Sequence, residues 1–185
     1  MPVKEKKRGR PSRSESQLTA ELIVFSARTL MQDNGKVPSI RQVSGDLGVD
    51  AMAIYHYFSS KSALLEAVTA SLVEGIYEPK AGGKWQEELE QLCKSYLELL
   101  GSCPGLLETL LSMKTFGPAQ LFNQRLAVAL ASLQLTQTAF EQAQHLLVDY
   151  MHGAALAIQC NPSVLLVDCI DGPLNLICSA LESRQ

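Results

Sequence analysis

Apolar residues recur at three- and four-residue intervals along most of the chain, the pattern of helices that each bury one face. From Ser14 onward Leu18, Leu22, Phe25 and Thr29, with Ile23, Ala27 and Leu30 beside them, predict a first helix. It is expected to stop at Asp33-Asn34-Gly35, where glycine suits a C-terminal cap. Ser39 followed by Gln42 is a capping box, so a second helix should begin there and carry Ile40, Val43 and Leu47 on one face. Gly48 interrupts that pattern, Asp50 caps a short helix from Ala51 to about Tyr57, and Ser59 or Ser60 caps a fourth through Leu64, Leu65, Val68 and Leu72. Beyond the turn-rich stretch Glu78–Gly83, helices are expected at about 85–101, 104–113, 118–132, 136–160 and 168–183. Their breaks fall at Cys103-Pro104-Gly105, Phe116-Gly117-Pro118 and Asn161-Pro162. No run alternates apolar with polar residues, so the expected class is all-α.

With 185 residues and 46% apolar positions, the chain can bury a sizeable core. No apolar run approaches the ~20 residues that cross a bilayer, and the basic N-terminus is followed by no apolar stretch of the secretory kind. Five cysteines form no CxxC pair, which favours reduced thiols and a cytoplasmic location over a disulfide framework or a zinc site. The net charge of -3 conceals an asymmetry. Residues 1–62 carry ten Lys/Arg against six Asp/Glu, and the remaining 123 carry six against thirteen. A polyanion-facing front joined to a body with another task is the expectation.

The strongest motif spans Ser39–Tyr57. A helix-turn-helix needs a small residue where its helices meet, a glycine in the turn and a buried aliphatic residue in the second helix. Ser44, Gly48 and Ile54 fall at those places, with Val49 beside the turn. The run Leu47-Gly48-Val49, then Ile54-Tyr55-x-Tyr57-Phe58-x-x-Lys61-x-x-Leu64-Leu65, resembles the signature of the TetR (tetracycline repressor-like) family of bacterial transcription regulators. The resemblance covers roughly residues 18–72. It implies a three-helix DNA-binding domain, and after it a divergent helical domain for ligand binding and dimerisation. The expected division is a basic arm at 1–13, the DNA-binding domain at 14–77 and the helical domain at 78–185.

Candidate DNA contacts follow residue by residue. Arg41 has the length and bidentate fork to reach a guanine edge or a phosphate. Tyr55 and Tyr57 would offer hydroxyls to phosphates, with His56 between them on the exposed side. Lys61 opens the fourth helix, where its ammonium and free backbone N–H groups favour a phosphate, and Ser39 can add another contact. Ala51, Met52 and Ala53 can touch thymine methyls but make no bidentate amide contacts. Arg8 and Arg10 either enter the minor groove or belong to a solvated tail that adds only salt-sensitive attraction.

In the second half Trp85, Tyr96, Met113, Phe116, Leu121 and Phe122 line an apolar cavity or simply pack as core. His145, Asp149 and His152 lie near one helical face; they could orient a polar ligand, though a histidine pair at a dimer seam fits better, and no metal or cofactor is expected. The helices near 136–160 and 168–183 carry more apolar surface than one core face needs, through Ala154, Ala155, Leu156 and Ala157 and through Leu174, Ile177, Cys178 and Leu181. The resembled family pairs its last two helices across a twofold axis. The implied partners are therefore a second copy of the chain, a small-molecule effector entering the cavity, and double-stranded DNA with a pseudo-palindromic operator. A ligand-released repressor is the leading expectation. A constitutive or protein-responsive DNA-binding dimer is the alternative, and a helical enzyme built on His145, His152, Asp149 and Cys160 a distant third.

Overall fold

The computed structural model describes residues 18–103, 105–113, 117–161 and 166–183, and every regular element among them is helical. In order they are α1 (Ala20–Asn34), α2 (Ile40–Leu47), α3 (Ala51–Tyr55), α4 (Lys61–Glu74), α5 (Trp85–Ser102), α6 (Leu106–Ser112), α7 (Gly117–Ala129), a 3-10 turn at Ala131–Leu133, α8 (Gln137–Cys160) and α9 (Leu166–Glu182). Side-chain caps set most of the starts. Thr19, Ser39, Asp50, Ser60 and Thr136 each accept a hydrogen bond from a free N–H of the first turn. The Ser39–Gln42 capping box closes in both directions. Gly35 and Gly48 end α1 and α2 in the left-handed conformation, with φ of 61° and 66°.

Two expectations about α1 need correction. The helix starts at Ala20 because the Thr19 hydroxyl caps it, so Leu18 lies before its first turn. Its buried face is Ile23, Ser26, Ala27 and Met31, whereas Leu22 and Phe25 are exposed, Phe25 by 67%. The i, i+4, i+8 row of Ile23, Ala27 and Met31 fits between α2 and α4, and Phe25 projects from the other side of the cylinder. At the other end of the chain, α9 runs unbroken through Pro173; the proline removes one rung of backbone bonding from the interior.

α1, α2, α3 and α4 pack on one another, and α4 also meets α5, α6 and α7. α5 is the central post of the second half, touching α7, α8 and α9. One apolar cluster runs through both halves, from Ile23 and Ile54 through Leu64 and Leu92 to Leu147 and Leu181. Cys93, Cys103, Cys160 and Cys178 are free thiols, and burial pushes the Cys93 thiol up to about 12, which makes it inert. Among the described residues no helix is long and apolar enough to cross a membrane.

Candidate nucleic-acid interface and effector pocket

Gly48 turns the chain sharply between α2 and α3, and Val49 N–H closes the turn onto the Ser44 carbonyl at 2.9 Å. Ser44 is buried and Ile54 wholly so, and these two positions pin the short helix α3 to the rest. What remains of α3 faces solvent: Met52 is 64% and Tyr55 43% exposed, Ala51 and Ala53 are half-buried, and His56 just beyond is exposed. A side-chain bond from Ser26 Oγ to Asp46 Oδ2, 2.6 Å, ties α1 to the end of α2 and holds the pair in register. Arg41 stands exposed in the first turn of α2, near Ser39. Lys61 is exposed in the first turn of α4, at the rim of a cleft that also takes in Lys36, Gly105 and Thr109. Arg41, Met52, Tyr55, His56 and Lys61 thus all reach solvent. A projecting rod of this size suits a major groove about 12 Å wide.

Tyr57 departs from expectation. Its hydroxyl donates to the Leu18 carbonyl, so its proton fastens the entry to α1 and is not available to a phosphate. Arg8 and Arg10 lie outside the described residues, as does Phe116.

In the second half, a pocket of about 130 Å³ opens between α5, α6, α7 and α8. Of the residues expected to line a cavity, Tyr96, Phe122 and His152 meet there: the Tyr96 and Phe122 rings lie 4.8 Å apart, and Tyr96 Oη is 3.0 Å from His152 Nε2. Burial lowers the His152 pKa, partly opposed by the nearby Asp149 carboxylate, and burial also raises that of the Tyr96 phenol. The pair is therefore neutral at pH 7. Trp85 and Met113 do not line this pocket. Trp85 opens α5, about 16 Å along the helix from Tyr96 at 1.5 Å per residue; Met113 is the C-cap of α6, whose Leu110 and Leu111 line the wall instead. The sequence reading also missed Asn123, Gln144 and Val148. The α8 row 144, 148, 152 at i, i+4, i+8 is the signal that would have found the last two. His145 is exposed and makes no pair with His152, whose partner is Tyr96 on another helix. The suggested constellation with Cys160, exposed at the far end of α8, does not assemble.

Two arrangements join the halves. The Arg125 guanidinium, on α7, donates to the carbonyls of Val73, Ile76 and Glu74 at 3.2, 2.7 and 3.0 Å, capping the end of α4 with a cation. Glu88, buried on α5, accepts from the Tyr77 hydroxyl and the Lys80 N–H, each at 2.8 Å. These two bonds hold its carboxyl below the usual range, and Tyr77 N–H adds a bond to Ser95.

Residues 23–68, from α1 into α4, match the sequence profile described as bacterial regulatory proteins, tetR family. Over that stretch the chain is similar to the TetR family. A curated relative, the HTH-type transcriptional repressor DrrR1 of Streptomyces coeruleorubidus, is 26% identical over 79% of the chain. The match covers 56% of that protein, so this chain spans about half the length of its relative. Two solved structures share the fold at low identity. ActR of Streptomyces coelicolor, in complex with (S)-DNPA, superposes with a TM-score of 0.76 at 17% identity, covering 92% of this chain and all of that one. BioQ of Mycobacterium smegmatis gives 0.78 at 19%, covering 91% and 100%. A structure of BioQ with its double-stranded DNA operator gives 0.73 at 19%, covering 90% and 99%.

Proposed function

We propose that the protein is a dimeric, sequence-specific DNA-binding transcription regulator, most simply a cytoplasmic repressor that a small effector releases from its operator. The observation that carries this reading is α3, anchored by buried Ile54 after the left-handed Gly48 turn while Met52 and Tyr55 stand in solvent. In this reading the DNA-binding unit ends near residue 77 and the regulatory unit spans 78–185. Arg41 and α3 read the major groove, with Ala51, Met52 and Ala53 against thymine methyls. Tyr55, His56, Ser39 and Lys61 hold the backbone on either side.

The second copy docks on α8 and α9. Leu174, Ile177 and Leu181 are spent on the chain's own core, but Leu146, Leu156 and Leu176 remain exposed, Leu176 by 75%, and a shallow apolar groove runs between Ala139, Leu146 and Ala180. Twofold pairing would cover this surface and present two copies of α3 to a pseudo-palindromic site. ActR has been solved with a small molecule and BioQ with DNA; both capacities are proposed for this chain. Val73 lines the pocket and its carbonyl is held by Arg125, so a molecule in the pocket bears directly on the end of α4. The effector shifts the balance only by its preference for the arrangement that no longer fits DNA.

Selection from a random duplex library, followed by titration of the winning site, tests the proposal. Arg41→Ala should weaken the preferred site by about 1–3 kcal/mol, and Lys61→Ala should weaken all duplexes and flatten the salt slope by about one. Failure to enrich any duplex at moderate salt would remove the DNA-reading function.

A further inference from the structure

The pocket's walls define what can fill it. Its volume of about 130 Å³ sets the size; an apolar cavity of about 150 Å³ takes up benzene, so the space suits a single ring, with any substituent reaching toward the pocket's opening. Among the described residues its lining holds no Asp, Glu, Lys or Arg, and against these walls a charged guest would shed its hydration with nothing to replace it. Its polar groups are neutral: the Tyr96 hydroxyl, the His152 imidazole and the Asn123 and Gln144 amides. Among the described residues neither amide makes a hydrogen bond, so both stand ready to serve a guest. The Tyr96–His152 pair is adaptable. With Oη donating to Nε2, the phenol oxygen accepts from a guest hydroxyl; with Nε2–H donating, the phenol proton is freed for a guest carbonyl.

Building on the effector-pocket reading above, we propose that the pocket takes an uncharged single-ring compound bearing a hydroxyl or carbonyl. Its ring lies against Tyr96 and Phe122, and its polar atom engages the Tyr96–His152 pair.

Calorimetric titration of the full chain with matched probes tests this: 4-methylphenol, toluene, benzoate and benzylamine. 4-Methylphenol should bind saturably, and the other three at least tenfold more weakly. Tyr96→Phe should shrink the preference for 4-methylphenol over toluene to less than threefold while leaving toluene binding intact, which also shows that the variant is folded. Equal affinity for 4-methylphenol and toluene, a preference for either charged probe, or no binding of any single-ring probe overturns the proposal. Operator affinity measured alongside separates the two claims. Binding of 4-methylphenol in the expected order without any change in DNA affinity sinks the effector role and keeps the ligand class; release of DNA only by larger or charged molecules does the reverse.

Discussion

Arg125 is the place to perturb first. Its guanidinium reaches across from α7 to three carbonyls at the end of α4, two of them on the buried residues Val73 and Ile76. A hydrogen bond to a charged donor contributes about 1.5–3 kcal/mol where water is excluded. The contact to Glu74 is exposed, so water substitutes for it at little cost. Counting the two inner contacts, and allowing water to recover part of each, Arg125→Ala should lose about 2–3 kcal/mol of stability. Arg125→Met keeps the apolar stem and should lose nearly as much, since the charge and its fork supply the effect. Arg125→Lys should restore less than half, because an ammonium cannot span three carbonyls in fixed geometry. Urea unfolding followed through Trp85, the single tryptophan, measures the stability. Hydrogen exchange in the segment 70–77 measures the local effect, which should be a faster opening of the α4 terminus than in Met31 or Leu92 neighbourhoods. A loss below about 0.5 kcal/mol with unchanged exchange would refute the idea that this cation clasps the two halves together.

Three further outcomes are expected. Gly48→Ala should cost about 1–2 kcal/mol through its φ of 66° alone, since no atom lies within 4 Å of the added Cβ; denaturant midpoints check it. Thr69→Val should stabilise the protein by about 1 kcal/mol in the same assay, because the Thr69 hydroxyl is buried without a hydrogen-bond partner and valine has the same shape. His152 should confer a pH dependence: its pKa is lowered in the folded state by burial, so the unfolded chain takes up the proton more readily and stability falls as pH drops below about 6.5. Asp149 on its own helix and Tyr96 on α5 are the titratable groups beside it, and the fall between about pH 7.5 and 5.5 should be smaller in His152→Gln.

The local chemistry of the first half was legible because short-range rules govern it. The Ser39–Gln42 box, the Asp50 cap and the Gly48 turn depend on residues within four positions of one another, and the structure realises all three. Contacts between distant segments were not. The bond from Tyr57 to Leu18 spans 39 positions and that from Tyr96 to His152 spans 56, and nothing at either end announces the partner. Periodicity also misplaced the inner face of α1, because Phe25 and Leu22 are as apolar as Ile23 and Met31, and only the docking of α2 and α4 decides which row is covered. Arg125 and Glu88 passed unnoticed for a related reason: each looks like an ordinary surface charge until its main-chain partners are brought to it.

The grip of Glu88 on Tyr77 and Lys80 has a mechanical meaning. It removes slack from the stretch between α4 and α5, so in the proposed effector response a shift of α5 would pass to α4 instead of being absorbed by a loose tether. With 14 residues, α4 is a lever about 21 Å long. A tilt of about 10° swings its far end, beside α3, by nearly 4 Å, and a symmetric mate would double the change in spacing; two such heads must match a helical repeat of about 34 Å. In the proposed reading, a stiff joint is what lets a guest the size of one ring be felt across the width of a DNA turn.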